Sequence, residues 1–352
     1  MATQLQPFLV GSRPVWKPIA AIPFVAGAPA ADTKISKNGY AQKLRFRFVG
    51  TATVSAAGTA GTPNLKNVVA SYILSLNGNF QYRSLDGESM ILKSNLEVGG
   101  ANDPVFNDPS YLNYNPASAT AQTVYFEVTD CIALNDGINA DEFLLAAQAR
   151  NYDIILSLTF GSNASIVANT ETMVLTGTLY VEAQYMLDPD YSKFAAPDLS
   201  YVQQIVTDTS FTNVSVGENV IPIVPLNGPE YMQLAFQPLF NGTIDTPGPT
   251  SALTRVLLRV NNSQDILDIS AQDLYNENFR TWGRKLPFGY YVLDFLNDML
   301  PLVNVMSPMR TRLLSTATLN QLELHCFVAS GTTVTNSRIK LIKRLRNPAV
   351  TG

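Results

Sequence analysis

A histidine beside a cysteine is the pair in this chain whose types most suggest catalysis. His325 is the only histidine, and Cys326 follows it in Gln321-Leu322-Glu323-Leu324-His325-Cys326-Phe327. A Cys/His dyad needs the imidazole within hydrogen-bond reach of the thiol. The run reads as a strand, however, and neighbours along a strand point to opposite faces. The two are therefore read as strand residues on opposite faces, with His325 on the sheet or at a subunit contact. A second candidate is the oxygen-rich group Asp136, Asn139, Asp141 and Glu142, which suggests Ca²⁺. Its spacing departs from an EF-hand loop, and a turn at Asn135-Asp136-Gly137 followed by a helix N-terminus accounts for it more simply. Paired carboxylates would suit glycoside hydrolysis, but among 28 acidic residues nothing singles out two. There is no GxSxG elbow, P-loop, HExxH or GxGxxG opening a helix. No enzymatic activity, metal or cofactor is expected.

Charge points elsewhere. The net charge of −4 hides a segregation: residues 1–50 carry seven Lys and Arg against one acid, and residues 338–346 (RIKLIKRLR) carry five bases and no acid. The remainder of the chain is correspondingly acidic. Two readings stay open. The ends are solvated surface, or they share a face turned toward something anionic, such as lipid headgroups or nucleic acid.

These residues need elements to position them. At 352 residues the chain has room for two or three domains, and half of it suffices for a β core. Apolar residues make up 46% and charged ones only 15%, against roughly 25% in ordinary soluble chains. That balance, with 15 Tyr and 17 Phe, implies much buried sheet or intersubunit surface. Cys131 and Cys326 make neither a disulfide framework nor a metal site and read as reduced core residues. The N-terminus lacks a signal-peptide pattern, and the apolar stretch 18–31 is too short and too rich in proline to span a membrane. N-x-S/T occurs at Asn163, Asn213, Asn241 and Asn261, read as chance matches.

One stretch organises the rest. In residues 71–90 an apolar run through Leu76 meets Asn77-Gly78, a pair that tolerates the positive φ of a tight hairpin. Residues 254–275 echo it: Val256-Leu257-Leu258-Arg259-Val260 runs into Asn261-Asn262, and acidic residues again open the next segment. The echo lies about half a chain away and reads as one β unit used twice. Further strands are expected at 43–49, 68–76, 124–128, 154–160 and 173–185, then at 220–224, 231–240, 256–260, 290–295, 322–328 and 338–345. Short helices are expected at 88–96, 141–150 and 270–280, with 313–319 answering the second of these. Short strands without βαβ alternation indicate antiparallel sandwiches. The expected fold is all-β: two tandem eight-stranded antiparallel jelly rolls with short helices in loops and an extended N-terminal arm. The expected divisions are an arm at 1–40, jelly roll 1 at 41–187, a linker at 188–210, jelly roll 2 at 211–346 and a tail at 347–352.

The doubled arrangement, the strands ending at Asn77-Gly78 and Asn261-Asn262, and the aromatic strand Tyr290-Tyr291-Val292-Leu293-Asp294-Phe295 resemble a known family. They are similar to the double-jelly-roll major capsid proteins of the tectivirus type, the lineage that includes adenovirus hexon. The resemblance covers about residues 40–346 and rests on architecture and repeat, not on a short motif. It implies a homotrimer whose six β modules form a pseudo-hexagonal block tiling an icosahedral shell, often over an internal membrane. It implies a place in the virion after synthesis in host cytoplasm. Partners would be neighbouring capsomers, minor capsid and vertex proteins, and lipid headgroups, with no small-molecule substrate. Arg13, Lys17, Arg338, Lys340, Lys343, Arg344 and Arg346 would then meet lipid or nucleic acid on the inner face, at about 1 kcal/mol per basic residue near an anionic surface. The arm at 14–31 would tie blocks together, and loops 97–120 and 241–251 would face outward. No long insertion builds a tall tower.

Two other readings compete. One is a two-domain jelly-roll carbohydrate-binding or glycoside-active protein, monomeric, with exposed aromatics over one sheet. The other is a nucleic-acid-binding β protein using the basic C-terminal run, which the acidic body opposes.

Overall fold

Alternating apolar and polar residues dictate strands that bury one face, and most of this chain is built that way. The computed structural model describes residues 11–37, 39–54, 62–63, 67–76, 78–98, 121–133, 145–146, 153–168, 173–187, 190, 192–197, 199–207, 210–226, 228–283, 285–295 and 313–348. They fall into two units, Met1–Gln203 with Ala349–Gly352, and Gln204–Pro348.

In the first unit the strands are β1 (Arg13–Pro23), β2 (Thr33–Lys34), β3 (Tyr40–Val54), β4 (Val69–Leu76) and β5 (Phe80–Leu85). Helix α1 (Gly87–Val98) follows, then β6 (Gln122–Cys131), β7 (Ile154–Phe160) and β8 (Met173–Leu187). They form two antiparallel sheets, in the orders β1-β8-β3-β6 and β2-β7-β4-β5. On β3, Leu44, Phe46 and Phe48 are fully buried while Arg45 and Arg47 between them are not. Phe46 meets Tyr72 of β4 edge to face, with ring centroids 5.0 Å apart. The Phe48 ring lies where a Cβ on either Gly50 or its cross-strand partner Gly177 would stand, within 2.8 Å. Those two glycines leave room for the aromatic core.

The second unit repeats the plan. Strand β9 (Tyr201–Thr207) enters it at Gln204, followed by β10 (Gly217–Pro222), β11 (Glu230–Phe240), β12 (Leu253–Val260) and β13 (Gln264–Ser270). Helix α2 (Ala271–Trp282) comes next, then β14 (Tyr291–Asp294), β15 (Leu322–Val328) and β16 (Arg338–Pro348). The sheet orders are β9-β16-β11-β14 and β10-β15-β12-β13. Numbered from its own first strand, each unit has the orders 1-8-3-6 and 2-7-4-5, with a helix after the fifth strand. That is an eight-stranded jelly roll used twice.

The turns repeat as well. Gly78 has φ 78° at the β4–β5 turn, and Asn261 and Asn262 have φ 49° and 61° at the β12–β13 turn. Each hairpin leads into a capped helix. The Asp86 carboxylate accepts from the Ser89 N–H at 2.8 Å before α1, and the Ser270 hydroxyl accepts from the Asp273 N–H at 3.0 Å before α2. Replacing Ser270 by Ala should cost about 1 kcal/mol, read as a shift in the urea midpoint at unchanged slope.

Four expectations need correction. Within 1–40, residues 13–23 and 33–34 are extended, but they are not an arm outside the sandwich. They supply the first two strands of the first jelly roll, with β1 paired along β8 from Arg13↔Leu187 to Pro23↔Thr178. Within 141–150, expected to be helical, Leu145 and Ala146 are extended and pair with Ala41 and Tyr40, and the other residues lie outside the described ones. Within 313–319, Leu314 and Ser315 likewise pair with Tyr231 and Glu230. The two segments do correspond to one another, as short strands on the third strand of each jelly roll. Finally, β9 lies in what was read as linker 188–210. The loop expected at 97–120 is outside the described residues apart from the end of α1, as is the acidic group Asp136, Asn139, Asp141 and Glu142.

Candidate functional site

The basic residues at the two ends of the chain have different fates. Arg13 is exposed at the start of β1. Lys17 is half-buried, with its ammonium 5.7 Å from the centre of the Tyr185 ring. Arg338 is exposed at the start of β16. The other four expected contacts are buried side chains of an interior strand. The Lys340 ammonium sits 5.9 Å from the Tyr290 ring centre, and Lys343 donates to the Val224 carbonyl. Arg344 donates to the Gln233 side-chain oxygen at 2.9 Å, and Arg346 is ion-paired with Glu230. The run RIKLIKRLR is therefore a sheet strand, and its Ile339, Leu341 and Leu345 belong to the core of the second unit. Charged side chains held this way are paired structural groups, so they are not free to receive a headgroup or phosphate. Of the seven expected contacts, Arg13, Lys17 and Arg338 are the ones placed at or near the surface.

The pair His325–Cys326 is arranged as strand geometry requires. Cys326 packs in the core with Leu322 and Leu324, and burial pushes its thiol up to about 12. His325 lies on the other face, its Nδ1 2.7 Å from Glu218 and its Nε2 3.4 Å from Glu323. The thiol has no base beside it and is a poor nucleophile. Cys131 is buried too. Both cysteines should resist a thiol reagent in the native protein and react once it is unfolded, which a colorimetric titration with and without urea would check.

Sequence reasoning missed a cluster of buried charges inside the first unit. Asp130 on β6 sits 3.1 Å from the Arg83 Nε of β5 and 2.5 Å from the Lys93 ammonium of α1. It also accepts from the Tyr72 hydroxyl at 2.8 Å. Arg83 is fully buried and donates further to the carbonyls of Tyr82 and Gln203. Burial pushes the Asp130 carboxyl up, but the charges of Arg83 and Lys93 outweigh this and hold it below the usual carboxylate range. Two cations around one carboxylate, each tied by further hydrogen bonds, fix the positions of three elements. The cluster is a structural lock. No local motif marks it, because its members come together only when β5, α1 and β6 pack.

Among the described residues no group of three or more His, Cys, Asp and Glu is arranged to hold a metal, and no helix is long and apolar enough to cross a membrane. The turn residues Asn241 and Asn261, both in N-x-S/T triplets, carry φ of 49°. The Asn261 side chain accepts from the Asn320 N–H at 2.8 Å.

No protein-family profile and no curated protein matches the chain. Solved structures do. The crystal structure of the major capsid protein of Sulfolobus Turreted Icosahedral Virus aligns with a TM-score of 0.67 at 13% identity, covering 96% of this chain and 97% of that one. The PBCV-1 virus capsid gives 0.64 at 14% identity over 97% of each chain. The major capsid protein of Bacteriophage PM2 gives 0.56 at 11% identity, over 96% and 98%. At such identities the likeness speaks of fold, and it runs the whole length of both chains. This chain has the double-jelly-roll fold of those major capsid proteins.

Proposed function

We propose that the chain is the building block of a virus shell, a non-enzymatic major capsid protein that assembles as a homotrimer. The observation that carries this reading is the duplication: two jelly rolls with the same strand order in one polypeptide. Three chains then supply six similar modules, which is what a trimer needs to fill a hexagonal position in an icosahedral lattice. Its place is the virion, after synthesis in host cytoplasm. Its partners are copies of itself, neighbouring capsomers, and minor capsid and vertex proteins. An inner membrane would be met through Arg13, Lys17 and Arg338, the basic residues left near the surface.

The carbohydrate-binding reading finds one point in its favour. Trp16 and Tyr180 are exposed on the outer face of the β1-β8-β3-β6 sheet. One face of each ring is already occupied by an arginine, however. The Arg45 guanidinium lies 4.5 Å from the Trp16 ring centre and that of Arg47 lies 5.4 Å from Tyr180, where a sugar would stack.

Electron microscopy of the purified protein tests the proposal. Uniform six-cornered particles are expected. Particles of a single chain's size, with none larger at any protein concentration, would contradict it.

A further inference from the structure

The outer face of the β1-β8-β3-β6 sheet is unlike the polar face that an antiparallel sheet usually turns to water. Inward residues such as Leu44, Phe46, Leu179 and Val181 fill the core. Cross-strand partners share a face, so Trp16, Arg45, Arg47, Tyr180 and Glu182 stand together on the outer one. Trp16 is 37% exposed, Tyr180 38% and Val49 40%. Arg45 is stacked on Trp16 and ion-paired with Glu182, while Arg47 is stacked on Tyr180 and lies 4.0 Å from the same carboxylate. Trp, Tyr and Arg are the residues enriched at the centres of protein interfaces. Here they are already held in place, which lowers the ordering cost of binding.

The second unit offers a counterpart. On the outer face of its β10-β15-β12-β13 sheet stand Glu218, Glu323, Asp265 and Asp268 against Arg255 and Arg259. Its exposed apolar residues are Val220 at 41% and Ile266 at 39%. Glu218 is the freest of these acids, with 48% of its side chain exposed. The first unit's face carries an excess of cations: Lys43, Arg45 and Arg47 against Glu127 and Glu182. The two faces thus complement one another in charge, and each has an apolar component.

We infer that the Trp16–Arg45–Arg47–Tyr180 face of one copy docks the Glu218 face of the second unit of another copy. The contact is heterologous, with a different patch from each partner, and such contacts close into rings when the rotation allows. The inference rests on the shell-protein reading and names the surface through which that protein meets itself.

The experiment is sedimentation of the full chain over a range of concentrations, with Tyr180→Ala, Arg47→Glu, Glu218→Arg and the double variant Arg47→Glu/Glu218→Arg. Each single change should weaken self-association about 10- to 100-fold, as interface hot spots do. Near-UV circular dichroism and melting temperature should stay unchanged, and the double variant should regain much of the loss. If the parent protein associates and the single variants associate equally well, the inference fails while the shell reading stands. Failure of the double variant to recover overturns the pairing of these two faces. A parent chain that stays monomeric throughout contradicts the shell reading itself, and this inference with it. Should Arg47→Glu lose its fold, Tyr180→Ala, which removes no charge, decides.

Discussion

Replacing Asp130 by Asn is expected to destabilise the first unit by about 3–5 kcal/mol, the usual cost of leaving a buried charge without its counterion. The substitution keeps the shape of the side chain but leaves Arg83 fully buried and the Lys93 side chain only 6% exposed, with no carboxylate between them. Urea unfolding followed by tryptophan fluorescence would read the loss as a lower midpoint at unchanged slope. Acid should act like the mutation. The folded carboxyl titrates below its ordinary value of 3.8. A depressed folded value means that the stabilisation is fully present above the unfolded value, roughly pH 4, and is lost as pH falls through the folded one. The parent should therefore lose its advantage over Asp130→Asn below about pH 4, and the two should differ most at neutral pH. A constant difference down to pH 2 would show that the cluster does not depend on this carboxylate.

Removing residues 1–30 is expected to prevent the first jelly roll from folding stably. The deletion takes away β1, whose pairing runs along most of β8, and uncovers the backbone of β8 as a long new edge. It also removes Phe24, whose ring packs 5.0 Å from Phe160 and 5.8 Å from Phe48. The point substitution Phe24→Ala alone should cost about 3–5 kcal/mol. Limited proteolysis of the truncated chain should degrade 31–203 rapidly while the 204–348 unit persists. A truncated protein with native-like circular dichroism and protease resistance would show that β1 is dispensable and that this segment acts as an arm after all.

These two predictions mark where the sequence was legible and where it was not. The hairpins at Gly78 and Asn261-Asn262 were readable because positive φ selects Gly and Asn at a tight turn, and the apolar runs before them have nowhere else to go. Helix α2 was readable from Ser270 and Asp273, since capping is local chemistry. Strand β1 was not. Pro7, Pro14, Pro18, Pro23 and Pro29 suggested an arm because proline breaks a helix, but an edge strand such as β1 tolerates proline where its N–H would face away from its neighbour. Leu145-Ala146 and Leu314-Ser315 sit in helix-favouring sequence, yet pairing with β3 and β11 overrides that local preference. The run RIKLIKRLR counted as surface charge because composition carries no information on burial. In the sheet its cations find Tyr290, Val224, Gln233 and Glu230, partners drawn from more than 40 positions away. The Arg83–Lys93–Asp130 lock and the stacked Trp16–Arg45 and Tyr180–Arg47 pairs were hidden for the same reason, since strand neighbours distant in sequence define them.

The proposed trimer would let three chains, each with two equivalent jelly rolls, imitate a hexagon. Light scattering on the purified full-length chain, coupled to size-exclusion chromatography, tests it most directly. The account predicts a stable species of three times the 38.4 kDa chain mass. A species of one or two chain masses at every concentration would contradict it.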